Sequence, residues 1–187
     1  MTNQNKVMEK QNFESTFFQL LRLYNEVIDE LSVDSTSAMD VLRSIGGGAS
    51  ATHILRGRQC FPYLLEFLLK LLVSNSKVST PDGSELTAIN DTYREFYAEH
   101  GNSIGHYFRT IYNIVKFVDE SAIEETSKRK FTNLLRAQLS KEELSLLFYN
   151  CISEYGRERM KPLVKKYDLL QHLEESTLVR PGVVDWL

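Results

Sequence analysis

Four polar side chains on one side of a predicted helix are the best candidates for chemistry in this sequence. They are His106, Arg109, Asn113 and Lys116, and their spacing of three or four residues places them on one face at about 100° per residue. Arginine binds anionic groups through its planar guanidinium, and histidine exchanges protons near neutral pH. The pattern predicts either a polar cleft that binds an anion or an ordinary solvated helix face.

Apolar side chains occupy the opposite side of the same segment. They are Ile104, Phe108, Ile111, Val115 and Val118. Such a stripe is typical of a helix that packs against a core. We therefore predict an amphipathic helix over 103–119, with one face in the core and the other available for chemistry.

A second pair of residues, Arg94 and His100, lies just before this helix, with five residues between them. In HEPN ribonucleases an arginine followed at a similar distance by a histidine contacts phosphate and transfers a proton during metal-independent RNA cleavage, and this segment is similar. Glu95 follows the arginine, and its carboxylate would repel a phosphodiester. The resemblance implies Arg94 and His100 as catalytic residues, with His106 and Arg109 as the alternative pair, in a dimer that binds RNA.

The remaining reactive residues form no metal or cofactor motif. Cys60 and Cys151 are distant in sequence, and no histidine has the spacing of a zinc ligand set. We predict no metal site, no cofactor and two reduced thiols in the core.

Composition and charge indicate an ordinary globular protein. The 187 residues are 42% apolar and 25% charged, and the net charge of -3 creates no overall field that attracts nucleic acid. The start of the chain lacks the apolar core of a signal peptide, and the most apolar run, 61–73, is too short and too charged to cross a bilayer. We predict a cytoplasmic protein, and attachment to a membrane through a partner or through an N-terminal segment outside this sequence stays open.

Helical periodicity without sustained alternation predicts an all-α fold, a single-domain bundle of six or seven helices over 1–187. Residues 1–10 are expected to be flexible, 33–52 to form a Gly/Ser-rich loop with room for a short helix at 38–45, and 176–187 to form a tail. The predicted helices cover about 9–32, 56–74, 84–99, 103–119, 124–139, 141–154 and 159–174. A break at His100–Ser103 separates two of them, and Ser140 with Glu143 forms a capping box.

The N-terminal helix has a heptad-like seam. Its members are Phe13, Phe17, Leu20, Tyr24, Val27 and Leu31. Because Phe18, Leu21 and Ile28 widen the stripe, packing inside a bundle is favoured over an isolated coiled coil. The same helix could also pair with a second copy of the chain or with a partner protein.

Four blocks in order resemble one family, the phage abortive infection proteins of the AbiC-like group. The blocks are Phe13–Leu21, Gly57–Phe61, His106–Tyr112 and Leu139–Asn150, and the resemblance spans about 13–173. It implies a role in bacterial defence, in which an infected cell stops growing or dies before phage progeny are released. It implies no settled biochemical activity.

The residues that the blocks carry over are Arg58, His106, Tyr107, Arg109, Tyr112, Ser140, Glu143, Tyr149 and Asn150. The capping box already explains two of them, and packing explains Tyr107. Asn150 lies in the middle of a helix, where a hydrogen bond to a neighbouring helix or to a site would explain it. Arg58, His106, Arg109 and Asn150 form the shortlist, with Asn113 and Lys116 as further binding residues.

Two functions follow from these residues. The first is a sensor or effector module that contacts a phage or host protein, or forms a homodimer through its N-terminal helix. The alternative is the HEPN-like ribonuclease, which would arrest growth on infection by cleaving RNA.

Overall fold

Helices account for most of the chain in the computed structural model, which describes residues 3–35, 53–76, 85–179 and 187. The described residues form six α-helices and two single 3-10 turns, at Gly57–Gln59 and Glu175–Thr177. The helices are α1 Asn3–Glu30, α2 Cys60–Ser76, α3 Glu85–Glu120, α4 Glu125–Arg136, α5 Lys141–Ile152 and α6 Met160–Lys166. The predicted helical bundle is confirmed.

A two-stranded antiparallel hairpin is the one sheet among the described residues. Strand β1, Ser32–Ser35, pairs with β2, His53–Arg56. A loop was predicted from 33 onward and a helix from about 56, so both strands were missed, because four residues are too few for alternation to be recognised. The short helix considered at 38–45 lies outside the described residues.

The predicted break at 100–103 is wrong, because α3 continues through it. Glycine costs about 1 kcal/mol in a helix interior, but here two glycines make room for an aromatic ring. A Cβ on Gly101 would lie 2.7 Å from Cδ1 of Tyr97, and one on Gly105 would lie 2.6 Å from its Oη. His100 is also committed to the interior, with 6% of its surface exposed.

The first and last helices differ from prediction in length. Helix α1 begins at Asn3 rather than near residue 9, and the added turns contain no glycine or proline that would stop it. Helix α6 ends at Lys166 rather than near 174, because Asp168 adopts a left-handed φ of 51° and the chain turns there. Leu169 and Leu170 are buried beyond that turn.

Helix α3 is central, since each of the other five helices contacts it. All five apolar residues predicted on its 103–119 face are buried. The seam of α1 is also buried, apart from the half-buried Leu20, so the predicted packing inside the bundle is confirmed. Rings from three helices meet at one end of the core, where Phe13 lies 5.0 Å from Phe117 and 4.9 Å from Phe131 between centroids.

Both cysteines are free and buried, as predicted. Within the parts of the chain that the structure describes, no helix combines the length and the apolar character needed to cross a membrane.

Candidate functional site

A buried carboxylate lies where α1, α3, α5 and the 3-10 turn at 57–59 meet. Oε1 of Glu143 accepts hydrogen bonds from the hydroxyls of Tyr24 at 2.7 Å and Tyr107 at 3.1 Å. Oε2 accepts from NH1 of Arg58 at 2.6 Å and from the backbone N–H of Ser140 at 2.8 Å. We call Tyr24, Arg58, Tyr107 and Glu143 the Glu143 centre.

Burial sets the electrostatics of the Glu143 centre. Glu143 and both tyrosines are fully buried, whereas 45% of the Arg58 side chain is exposed. Burial, followed by the nearby carboxylate, raises the pKa of Tyr24, and burial also raises that of Tyr107. Burial lowers the pKa of Arg58, but Glu143 together with Tyr24 and Tyr107 more than offsets this, so the net shift is upward. Both hydroxyls therefore stay protonated donors, and the guanidinium stays charged.

Four donors surround a carboxylate that offers about four lone-pair sites. All four members of the Glu143 centre therefore serve the fold, and a ligand would find no vacant acceptor on Glu143. A buried charge that is paired and fully hydrogen-bonded is tolerated, while one that loses a partner is costly. Only Arg58 extends from the centre to the surface.

Local sequence signals place each member of the centre. Tyr24 is a seam residue of α1, and Tyr107 precedes a core phenylalanine on α3. Glu143 is the third residue of α5, where it completes the predicted capping box with Ser140. Gly57, with φ +61°, turns the chain out of β2 and directs the next residue, Arg58, towards α5.

Three of these four residues were predicted from the sequence, but with other roles. Arg58 was on the shortlist, Tyr107 was assigned to packing, and Glu143 was assigned only to a cap. The capping box is confirmed, and the same carboxylate also has the buried partners that the analysis missed. Tyr24 was the sequence signal for these buried partners, because a tyrosine in an apolar seam carries a hydroxyl that needs a hydrogen-bond partner in the core.

The predicted polar stripe lies on one exposed face of α3. His106, Arg109 and Asn113 are exposed, and Lys116 is half-buried. Lys116 lies 3.6 Å from Glu120 and over the ring of Tyr112 at 5.8 Å from its centroid. Among the described residues, no hydrogen bond or ion pair engages the side chains of His106, Arg109 or Asn113. We call His106, Arg109, Asn113 and Lys116 the α3 polar face.

The second predicted pair, Arg94 and His100, is not brought together within one chain. Arg94 donates from Nε and NH2 to the two carboxylate oxygens of Glu154, at 2.9 and 3.2 Å, on the surface. His100 instead lies buried among aromatic rings, the nearest being Phe67 at 4.7 Å between centroids. Six residues along a helix correspond to a rotation of about 240°, so the two side chains leave α3 in different directions.

His100 carries a buried nitrogen without a partner. Its Nε2 makes no hydrogen bond, and it lies 3.9 Å from a carboxylate oxygen of Glu99. Burial lowers the pKa of the imidazole, and Glu99 opposes that shift. The neutral ring is therefore favoured in the fold.

Asn150 forms the hydrogen bond predicted for it. The side chain is buried, and its Nδ2 donates to the hydroxyl of Tyr93 on α3 at 3.2 Å. The contact joins α5 to the central helix. This is the neighbouring-helix bond that the sequence analysis considered for Asn150.

Residues 99–178 match the family model described as "Putative phage abortive infection protein". The match confirms the proposed resemblance over this range, which contains the blocks His106–Tyr112 and Leu139–Asn150 but neither Phe13–Leu21 nor Gly57–Phe61. No curated protein and no solved structure matches the chain. The matched range contains Tyr107 and Glu143, whereas Tyr24 and Arg58 lie outside it and complete the centre from the N-terminal part. The matched range is less than half of the chain, and the description of the family names phage abortive infection.

Proposed function

We propose that this chain acts in abortive infection as a sensor or effector that binds another molecule through the α3 polar face. One observation carries the proposal: His106, Arg109 and Asn113 are exposed on one helix and have no side-chain partner among the described residues. An arginine and a histidine whose side chains make no hydrogen bond or ion pair with the described residues can bind a partner.

The interior supports the same choice of surface. Among the described residues, His100 Nε2 is the one buried side-chain nitrogen or oxygen without a hydrogen bond. Glu143 and Asn150 are already engaged. Because these interior polar groups are buried or already hydrogen-bonded, a partner is more easily bound by exposed groups such as those of the α3 polar face.

The predicted homodimer through the N-terminal helix would have to use other residues than its seam. The seam is buried against the chain's own core, and the exposed large apolar side chains of α1 are Val7, Met8, Phe18 and Leu23. A second copy, or a phage or host protein, would meet that set on α1.

The ribonuclease alternative keeps one accessible pair of residues. His106 and Arg109 lie one turn apart on the exposed face, whereas His100 is buried. An RNA-cleaving dimer would therefore rely on His106 as its proton-transferring group. RNA cleavage in the presence of a chelator, lost in His106→Ala, is the result expected from that alternative.

The experiment that tests the proposal is a phage-protection assay in bacteria. We expect a His106→Ala, Arg109→Ala double variant to lose protection while its far-UV circular dichroism stays unchanged, because neither side chain makes a hydrogen bond or ion pair with the described residues. The matched control is Arg129→Ala, Lys130→Ala on α4, where both residues are exposed. Protection retained by the α3 variant at normal protein levels would overturn the proposal.

A further inference from the structure

Two tyrosines stack at the surface beside the α3 polar face. The rings of Tyr97 on α3 and Tyr155, just after α5, lie 4.0 Å apart between centroids at an interplanar angle of 29°. Tyr155 is 42% exposed. The ring of Tyr97 lies along Gly101 and Gly105, at the positions where a Cβ would otherwise project. The glycines therefore leave room for the ring of Tyr97, on which the ring of Tyr155 stacks.

An arginine without a partner lies next to this ring pair. NH1 of Arg109 is 3.2 Å, and Oη of Tyr97 is 2.6 Å, from the position that a Cβ on Gly105 would occupy. The guanidinium is exposed, and no described residue pairs with it. A cation and an aromatic pair, of which Tyr155 is exposed and Tyr97 is half-buried, thus lie close together at the surface.

This part of α3 also lacks negative charge. Residues 100–118 contain no aspartate or glutamate. The carboxylates that flank this stretch in the sequence are Glu99 and Asp119. The stretch is about 28 Å long at 1.5 Å per residue. Further along it, Lys116 lies over the ring of Tyr112, and Glu120, just beyond the stretch, lies 3.6 Å from its ammonium group. A polyanion could follow this face without meeting a carboxylate from the stretch itself.

We infer that this surface binds single-stranded nucleic acid, with a base stacked on the Tyr97–Tyr155 pair and a phosphate on Arg109. The inference rests on the proposed function and names the partner class of the α3 polar face. Aromatic rings stack on any base, and arginine matches phosphate geometry. Single strands expose base faces that a duplex hides.

The distribution of apolar surface favours nucleic acid over a protein partner at this site. Protein interfaces centre on buried aromatic or aliphatic anchors. Among the described residues, none of the exposed large hydrophobic side chains lies on α3, and Tyr155 contacts α3 through the ring of Tyr97. The remainder of that set lies on α1, β2, α2 and α4.

The test is fluorescence anisotropy of the full chain with a labelled single-stranded RNA of about 12 nucleotides, within the usual range of site sizes. A single-stranded DNA of the same sequence and the corresponding RNA duplex are measured in parallel. We expect both single strands to bind more tightly than the duplex. A preference for RNA over DNA would assign a contact to the 2′-hydroxyl, and equal binding would assign recognition to bases and phosphates alone.

Two pairs of variants separate stacking from charge. Tyr155→Ala should weaken binding by about fivefold to a hundredfold, whereas Tyr155→Phe, which keeps the ring, should bind as the wild type does. Arg109→Gln should reduce the slope of log affinity against log salt by about 0.7, the value for one phosphate on a single strand, whereas Arg129→Gln should leave it unchanged.

The outcomes distinguish this inference from the proposed function. Absence of binding by the wild type, or equal binding by Tyr155→Ala, overturns the inference. If the His106→Ala, Arg109→Ala variant still loses phage protection in that case, the proposed function stands and the partner is a protein. If the strand binds as expected but protection is unaffected by that variant, the inference stands and the proposed function fails.

Discussion

Replacing Glu143 by alanine would remove the acceptor for four donors at once. Two of these donors, the hydroxyls of Tyr24 and Tyr107, are fully buried, so bulk water could not replace the lost acceptor. The half-exposed guanidinium of Arg58 can be hydrated. The backbone N–H of Ser140 would lose its half of the capping box. The energetic cost therefore comes mainly from the two hydroxyls and the cap.

The magnitude of this cost can be worked out from the contacts. Each buried donor left without an acceptor costs about 1–3 kcal/mol, and a lost helix cap costs about 1 kcal/mol. We take about 1.5 kcal/mol for each of the two hydroxyls and about 1 kcal/mol for the cap. We therefore expect Glu143→Ala to reduce the free energy of unfolding by about 4 kcal/mol. For a chain of this length, the melting temperature would fall by about 8–16 °C.

Glu143→Gln provides the matched control because it keeps the shape of the side chain. The amide oxygen can accept from Arg58 and Ser140, and the amide NH₂ can donate to tyrosine hydroxyls that have rotated. The loss of the negative charge weakens the hydrogen bond from Arg58, so we expect Glu143→Gln to reduce the free energy of unfolding by about 1–2 kcal/mol. If Glu143 served only as a cap, glutamine would be nearly neutral, since it is accepted at this position of a capping box.

Urea denaturation followed by far-UV circular dichroism measures these differences. Ser140→Ala removes only the hydroxyl that accepts from the backbone N–H of Glu143, so it isolates the cap. The expected order of destabilisation is Glu143→Ala, then Glu143→Gln. A Glu143→Ala variant no less stable than Ser140→Ala would refute the buried-acceptor reasoning.

Three further changes have defined outcomes. His100→Phe removes an imidazole whose pKa is lowered from 6.5 by burial. The wild type should therefore lose stability below about pH 6.5, because the unfolded chain binds the proton before the folded chain does. The variant should lack this loss, and equal pH dependence in urea melts would contradict the assignment. Gly101→Ala places a Cβ 2.7 Å from the ring of Tyr97, so the melting temperature should fall despite the gain of about 1 kcal/mol in helix propensity; a higher value would contradict the packing. The pKa of Asp119 is lowered first by its hydrogen bond from Lys166, so its stabilisation is present above pH 3.8 and is lost as pH falls through the lowered pKa. Asp119→Asn should therefore destabilise at neutral pH and converge with the wild type in acid, and a constant difference across that range would count against the pair.

Interactions between residues close in sequence were predictable. The apolar stripe of α3 and the seam of α1 repeat every three or four residues, and both are buried as expected. The capping box joins residues only three apart, and it forms as predicted. The exposed α3 polar face follows from the same periodicity, because the side opposite a buried stripe tends to face solvent.

The partners of the buried polar groups depended on the path of the whole chain. Tyr24 and Glu143 are 119 residues apart, and Arg58 and Glu143 are 85 apart. No local pattern distinguishes a surface cap from a carboxylate that three other elements enclose. Tertiary packing likewise kept α3 continuous through Gly101, because the ring of Tyr97 occupies the space that the glycine leaves.

Sequence alone thus determined which faces are apolar and where α5 is capped, since these depend on neighbours within one or two turns. Only the tertiary structure decided that His100 is buried, that Glu143 accepts from four donors and that Arg109 has no hydrogen-bond or ion-pair partner among the described residues, because each depends on which distant segments pack nearby.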